Sequence, residues 1–229
     1  MTMRKAEPGS AAIYRDLRRR LVASEFPPAQ RMRSAHMRTE YGVAASTMRE
    51  VFFRLASEGF LDFEDQKGFR VPKMDVAILH DLTVMRLLLE KEGARLSLDR
   101  GDLEWEARLA AAHHKLAHLE QRLRDRSAVR TDPELGDIWN AAEYGFHDTL
   151  MSACGSQMLR DTHRRFYDRF RQFVVQRDGN AGFLEQNIAQ HKAILDAALA
   201  RDQAATAAAI HDHLAHNLIA DPGTPEPVA

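Results

Sequence analysis

The chain has 229 residues, of which 45% are hydrophobic and 28% are charged, enough for one large domain or two small ones. Its net charge is -1 at pH 7, and its one cysteine excludes an internal disulfide. No apolar run approaches the roughly 18 residues of a membrane helix, and the opening MTMRKAEPGS lacks the apolar segment of a signal peptide. We therefore expect a cytoplasmic protein with no membrane partner.

The charge is unevenly distributed along the chain. Residues 1–73 contain 14 Lys and Arg against 9 Asp and Glu, whereas the remainder contains 18 against 24. A basic first third joined to an acidic remainder indicates two functions on one chain.

The first third predicts three helices. A helix over 13–24 ends at the prolines of FPPAQRM, because proline cannot continue a helix. A second helix, over 34–41, stops at Gly42. The third lies in GVAASTMREVFFRLASEGFL, where apolar residues recur at i, i+3, i+4 and i+7: Met48, Val51, Phe52 and Leu55. This order is typical of a helix-turn-helix.

A β-hairpin is predicted next. The segments 59–64 and 69–71 flank the turn Asp65-Gln66-Lys67-Gly68, so the whole predicts a winged helix. In such folds the start of the third helix enters the major groove of DNA, and the wing reaches the backbone or minor groove. The candidate DNA-contacting residues are Ser46, Thr47, Arg49, Lys67 and Gly68. Taken alone, the same helix start also fits a solvated helix with a capping hydroxyl.

The rest of the chain predicts an all-α antiparallel bundle of about six helices. Short breaks fall near Gly101, Pro133, Gly155 and Gly179, and short connections favour antiparallel neighbours. The predicted helices cover roughly 76–99, 102–126, 134–153, 156–178, 182–200 and 203–219. We expect a mainly α protein with a DNA-binding domain over 10–73, a helical domain over 74–220 and a flexible tail over 221–229.

Several motifs together resemble a known family. IYRDLRRRLVASEFPPAQRM and YGVAASTMREVFFRLASEGFLDFEDQKGFRV resemble the winged helix of GntR-type bacterial transcription regulators. VMRLLLEKEGARLS, EYGFHDTLMSACGSQML and QHKAILDAALARDQAATAAAIHDHL resemble the helical FCD effector domain of its FadR branch. The resemblance covers about residues 10–218. It implies a dimeric repressor or activator on a palindromic double-stranded operator, with a bundle that binds a small carboxylate, often through a divalent metal.

The chain departs from that family pattern in two places. Ala44 and Ala45 stand where the family usually has a capping serine and a DNA-contacting arginine. Without the serine, Thr47 and Glu50 predict a capping box that starts the helix slightly later. Glu143 stands where the family usually has aspartate, and its side chain is one methylene longer.

Four polar residues fall on apolar helical stripes. Glu143 and His147 lie one turn apart within the stripe of Trp139 and Phe146, and His191 and His213 lie on two later helices. One carboxylate and three imidazoles suit Zn²⁺, Ni²⁺ or Mn²⁺, and the resemblance implies metal ligands at these positions. The alternative is a set of core histidines with an internal Glu–His pair.

Arg86 is the candidate effector-binding residue, because an inward-facing guanidinium can bind a carboxylate with two hydrogen bonds. The alternative is a surface pair between Arg86 and Glu90, four residues apart.

Three functions remain open at this point. The first is a ligand-responsive regulator, and the second is a regulator whose bundle only dimerises. The third is a metal-dependent enzyme, which would leave the winged helix unexplained, and the sequence contains no HExxH motif, nucleophile elbow or phosphate loop. We therefore predict that the protein is not an enzyme.

Overall fold

The computed structural model describes residues 9–123, 133–178 and 185–219. These residues are mainly helical, as predicted, and form two compact units. The first unit contains the described residues up to 74 together with 171–177, and the second contains 75–170 and the described residues after 177. The predicted tail over 221–229 and the predicted break near Gly179 lie outside the described residues.

The first unit is a winged helix with a small antiparallel sheet in the order β1-β3-β2. Its elements are α1 (Ser10–Val22), β1 (Arg31–Met32), α2 (Ser34–Tyr41), α3 (Ala45–Ser57), β2 (Asp62–Glu64) and β3 (Gly68–Arg70). Their shared core is apolar and includes Leu17, Met48, Phe52 and Leu55, none of them measurably exposed. The apolar stripe predicted on the third helix is therefore the face that packs inward.

The turn between α2 and α3 depends on Gly42. This residue caps the C-terminus of α2 in the left-handed conformation, with φ of 68°, where a Cβ atom would be strained. Helix α3 begins three residues after this glycine, at Ala45.

The capping box predicted for Thr47 and Glu50 is wrong. Helix α3 begins at Ala45, its N-cap is Ala44 with φ of −66° and ψ of 151°, and no side chain bonds to the free backbone N–H groups at this end. Its first helical hydrogen bond already runs from Met48 N to Ala44 O at 3.2 Å. The Gly42 turn and the packing of Met48 set the helix start, so the cap signal does not decide it.

The hairpin is present, but the sheet has a third strand that the sequence did not predict. Arg31 pairs with Arg70, and Met32 pairs with Phe69 on the outer side of β3. This strand has only two residues and follows closely after two prolines, so it carries no alternating pattern of its own.

The second unit contains the helices α4 (Val76–Arg100), α5 (Leu103–Leu123), α6 (Pro133–Leu150), α7 (Gln157–Asp178, which also contributes to the first unit), α8 (Gln186–Leu199) and α9 (Gln203–Leu214), followed by a 3₁₀ turn (Ala215–Asn217). Helix α9 packs on α8 and α4, and α5 packs on α6 and α8. These contacts bring the inner faces of α4, α5, α6, α8 and α9 together. None of the described helices is long and apolar enough to cross a membrane.

Candidate functional site

The start of α3 presents the predicted DNA-contacting side chains to solvent. Ser46 and Arg49 are exposed and Thr47 is half-buried, whereas Met48 between them is buried in the core. They stand in the first turns, where free backbone N–H groups and the helix dipole favour an anion. The exposed residues can therefore approach phosphate or base edges without leaving their own helix.

The wing is held against α3 by aromatic packing. The ring of Phe53 lies 5.1 Å from the ring of Phe63 and 5.0 Å from that of Phe69, both on the hairpin. Lys67 is exposed in the turn, and Gly68 after it adopts a positive φ of 79°. The lysine Nζ also contacts Glu64 Oε2 at 2.6 Å.

Part of the basic run on α1 serves the fold. Arg20 bonds Glu40 at 2.6 Å and Glu25 at 3.0 Å, and Arg19 bonds Glu25 at 2.8 Å. These two guanidiniums are matched by carboxylates of the same unit, so they add little net positive charge for a nucleic acid.

In the second unit, four candidate metal ligands come together. Glu143 and His147 are on α6, His191 is on α8 and His213 is on α9; all four are buried, and one ligand atom from each lies within 4.8 Å of the others. Two ligand atoms bound to the same ion, each by a bond of about 2.2 Å, lie at most roughly 4.4 Å apart. Small side-chain rotations would therefore bring the four ligand atoms to the spacing that one ion requires.

Each of these four side chains has an additional polar contact. The hydroxyl of Tyr167 on α7 donates to Glu143 Oε2 at 3.0 Å. Three contacts involve histidine Nδ1 atoms, namely His147 with Glu90 Oε2 at 2.9 Å, His191 with Glu120 Oε1 at 2.7 Å, and His213 with Gln190 Oε1 at 3.2 Å. The Nε2 atoms of His147 and His191 are buried and have no hydrogen-bond partner among the described residues.

Burial also favours the neutral, ligand form of the imidazoles. The pKa of His147 is lowered by desolvation, and that of His213 is held well below its ordinary value by desolvation and by the nearby His191 and His147. The rings of His191 and His213 are only 4.5 Å apart, so charging both is unfavourable.

Arg86 is buried in this region and forms the pair with Glu90, so the pair is not on the surface. Its Nε donates to Glu90 Oε1 at 2.8 Å, and its guanidinium lies 4.8 Å from the ring of Tyr167. Burial raises the pKa of Glu90, but Arg86 and His147 outweigh this and hold it well below its usual range. The Nη1 atom of Arg86 is buried with no hydrogen-bond partner among the described residues.

The residues around the ligands were missed by the sequence analysis. From the sequence, Glu90 is predicted only as a possible surface partner of Arg86. Three further contact residues are not predicted at all, namely Glu120, Gln190 and Tyr167. The available signal was a carboxylate on an apolar stripe, because Glu120 follows Leu119 and lies one turn from Leu116 and Leu123, all buried. Its partner is 71 residues away, which no local pattern indicates.

Comparisons with known proteins match both units. Residues 10–71 match the family described as bacterial regulatory proteins, gntR family, and residues 81–216 match the FCD domain. The chain is 30% identical over 194 residues to the HTH-type transcriptional regulator BphR of Paraburkholderia xenovorans, covering 83% of this chain and 76% of BphR. It is 29% identical over 205 residues to the HTH-type transcriptional repressor GlaR of Escherichia coli, covering 88% and 90% of the two chains.

A solved structure shares the fold. The structure of McbR/YncC from E. coli superposes with a TM-score of 0.72 at 18% identity, covering 91% of this chain and 94% of that chain. The relatives BphR and GlaR both carry the names of transcriptional regulators and not of enzymes.

Proposed function

The chain belongs to the GntR family of bacterial DNA-binding transcriptional regulators and carries an FCD domain, and from this premise we propose that it is a metal-containing, ligand-responsive repressor. In this proposal a dimer binds a palindromic operator, and a small organic acid bound in the bundle changes operator affinity. The observation that carries the ligand-binding part is the buried set of Glu143, His147, His191 and His213.

The charge of the buried groups supports a divalent cation. The carboxylates of Glu90, Glu120 and Glu143 are all buried in this unit. A buried carboxylate is stabilised by a positive charge close to it. A divalent cation held by Glu143 and the three imidazoles would supply such a charge, and one carboxylate with three imidazoles suits Zn²⁺, with Ni²⁺ or Mn²⁺ as alternatives.

The four ligands would hold the ion, and the ion would supply positive charge and open coordination positions for an acidic effector. Arg86 is the chain's own contribution to binding that acid. Its unpartnered Nη1 can donate to a carboxylate, while the Nε–Glu90 bond fixes the orientation of the guanidinium. The effector class that fits is a small hydroxy, sugar or dicarboxylic acid.

DNA recognition is proposed for the exposed start of α3 and for the wing. Arg49 would contact guanine or phosphate, Ser46 and Thr47 would donate to phosphates, and Lys67 with Gly68 would follow the backbone beside the groove. In a dimer two such helices would read half-sites about one DNA turn apart. GlaR is named a repressor, and its 29% identity over most of both chains supports the same direction of control here.

The test begins with selection of bound duplexes from a random DNA pool by the purified protein. We expect an inverted repeat with half-sites about 10 base pairs apart, and a dimer in sedimentation. R49A should lower affinity for the selected duplex at least tenfold, whereas R95A, an exposed arginine of the second unit, should not. A monomer that selects no repeat would contradict the proposal.

The ligand part is tested on the same protein by metal analysis and thermal shift. One divalent ion per chain is expected, with loss of that ion in H191A. A screen of small organic acids should then raise the melting temperature and change affinity for the selected duplex, and R86K, which keeps the charge but loses the planar fork, should weaken both responses. A bundle that only dimerises would take up no ion and would respond to no acid.

A further inference from the structure

Glu120 is a buried carboxylate whose described hydrogen bond goes to a candidate metal ligand. Its Oε1 lies 2.7 Å from Nδ1 of His191, and both side chains are fully buried. A carboxylate accepts hydrogen bonds and does not donate them. The hydrogen of the neutral imidazole must therefore be on Nδ1, which leaves the lone pair on Nε2.

The lone pair of His191 is directed away from Glu120. Its Nε2 atom is buried and has no hydrogen-bond partner among the described residues. The other three members of the set, Glu143, His147 and His213, lie close enough to share one ion with it. Because Nδ1 is bonded to Glu120, Nε2 is the nitrogen through which His191 could bind a metal.

We propose that Glu120 is a positioning residue of the metal centre, holding His191 in the tautomer and orientation that present Nε2 to a divalent cation. This inference rests on the proposed metal function and adds a residue outside the ligand set. A carboxylate behind a ligating imidazole also raises the basicity of the imidazole, and removal of such partners weakens metal binding by about 10- to 100-fold.

The burial of Glu120 supports this role. Its second oxygen, Oε2, is buried with no hydrogen-bond partner among the described residues. A buried carboxylate is costly unless a positive charge is close. A cation bound by His191 would lie one imidazole ring away from this carboxylate and would lower that cost.

A carboxylate also lies near His147, whose Nδ1 is 2.9 Å from Glu90 Oε2, but these two atoms do not meet hydrogen-bond geometry. Glu90 also contacts Arg86 and His163 at 2.7 Å each. Its removal would leave a buried guanidinium without its counter-charge, so effects on folding and on metal binding could not be separated. Glu120 is the residue at which the two can be separated.

The test uses the full-length protein with two readouts. Long-range proton–nitrogen NMR of the metal-free protein reports which ring nitrogen of His191 carries the hydrogen, and competition with a chelator measures zinc affinity. The variants are E120Q and E120A. The matched control is E104Q, because Glu104 lies on the same helix and its side chain is 74% exposed.

In the wild type we expect the hydrogen on Nδ1. E120Q should keep that tautomer, because the amide oxygen still accepts, and should bind zinc a few-fold more weakly. E120A should lose the tautomer preference and bind zinc about 10- to 100-fold more weakly, whereas E104Q should match the wild type in both readouts. If Glu120 only stabilised the fold, the tautomer of His191 would not depend on whether residue 120 can accept a hydrogen bond.

A hydrogen on Nε2 of wild-type His191 would overturn the assignment, as would unchanged zinc affinity in both Glu120 variants of a zinc-binding wild type. A wild type that shows the Nδ1 tautomer but takes up no zinc would overturn the proposed metal function and the role of Glu120 with it. Circular dichroism shows whether E120A is folded. If E120A is unfolded, E120Q alone decides the question.

Discussion

The hydroxyl of Tyr167 on α7 donates to Glu143 Oε2 at 3.0 Å, and it also lies 3.3 Å from the backbone oxygen of Asn140. Glutamate has one more rotatable bond than the aspartate usual at this position of the family, so its carboxylate has more orientations to lose on binding a metal. The tyrosine restricts that freedom by fixing one oxygen.

Y167F should therefore weaken zinc binding by about tenfold, the lower end of the range for an outer hydrogen-bond partner. Chelator competition measures the loss. The control is Y144F, because the ring of Tyr144 lies 5.0 Å from that of Tyr167 while its hydroxyl faces Asp148 instead. Equal zinc affinities in Y167F and the wild type would show that the hydroxyl does not orient Glu143.

If Lys67 contacts DNA as proposed, we expect Glu64 to compete with DNA for this wing lysine. Its Oε2 lies 2.6 Å from Lys67 Nζ, both side chains are exposed, and the lysine contact lowers the pKa of Glu64. E64Q should raise affinity for the selected duplex about two- to fivefold at low salt, and the gain should shrink as salt screens the charge. Fluorescence anisotropy at two salt concentrations measures this.

The control for the wing is E92Q in the second unit, where Glu92 forms a similar exposed pair with Arg95 at 2.7 Å. E92Q changes the net charge by the same amount as E64Q. Because Glu92 lies outside the winged helix, we expect E92Q to leave DNA affinity unchanged. An equal gain in E64Q and E92Q would indicate a general charge effect and remove the wing from the interface.

Helix α3 lacks a side-chain cap, and this makes a stabilising substitution available. Ala44 already has the extended backbone conformation of a capping residue, so A44S should increase the free energy of unfolding of the first unit by about 1 kcal/mol. Far-UV circular dichroism should follow the transition, because both tryptophans, Trp105 and Trp139, lie in the second unit.

A45S is the control for the cap, because position 45 is the first residue inside the helix and a serine there cannot act as the N-cap. It should give no stabilisation. Equal stability of A44S and the wild type would mean that the free N–H groups of α3 gain nothing from a serine oxygen.

The sequence could predict most of the fold because the helices have clear periodicity and clear stops. The predicted helix over 34–41 has the observed bounds, and the predicted start at Val76 is also observed. The start of α3 was misplaced because tertiary packing at Met48 outweighed a local capping signal. The strand Arg31–Met32 was missed because two residues carry no period.

The candidate site was only partly visible in the sequence. Polar residues on apolar stripes indicated the four candidate ligands, because a histidine or glutamate at helical spacing from apolar residues is expected on the buried face. Whether Arg86 and Glu90 face inward could not be read, because α4 carries apolar residues on more than one side: Leu87 is buried whereas Leu88 is 60% exposed. The contact of Glu120 with His191 depends on how α5 and α8 pack, which local spacing does not encode.

We expect two tyrosines of the first unit to make its stability sensitive to alkaline pH. Tyr14 on α1 donates to Glu58, the C-cap of α3, and Tyr41 at the end of α2 donates to Asp16 on α1. Burial, followed by the hydrogen bond to Glu58, raises the pKa of Tyr14 to about 12 from its ordinary value of 10.0.

A raised phenol pKa means that the folded protein keeps a proton that the unfolded chain releases. The stabilisation is fully present below pH 10 and is lost as the pH rises through about 12. Y14F removes this titration and the hydrogen bond together. It should therefore be less stable than the wild type at pH 8.5, and the difference should narrow by pH 10.5 and beyond. Urea unfolding followed by far-UV circular dichroism measures both values, and a constant difference across this range would show that the Tyr14 hydroxyl titrates alike in the folded and unfolded states.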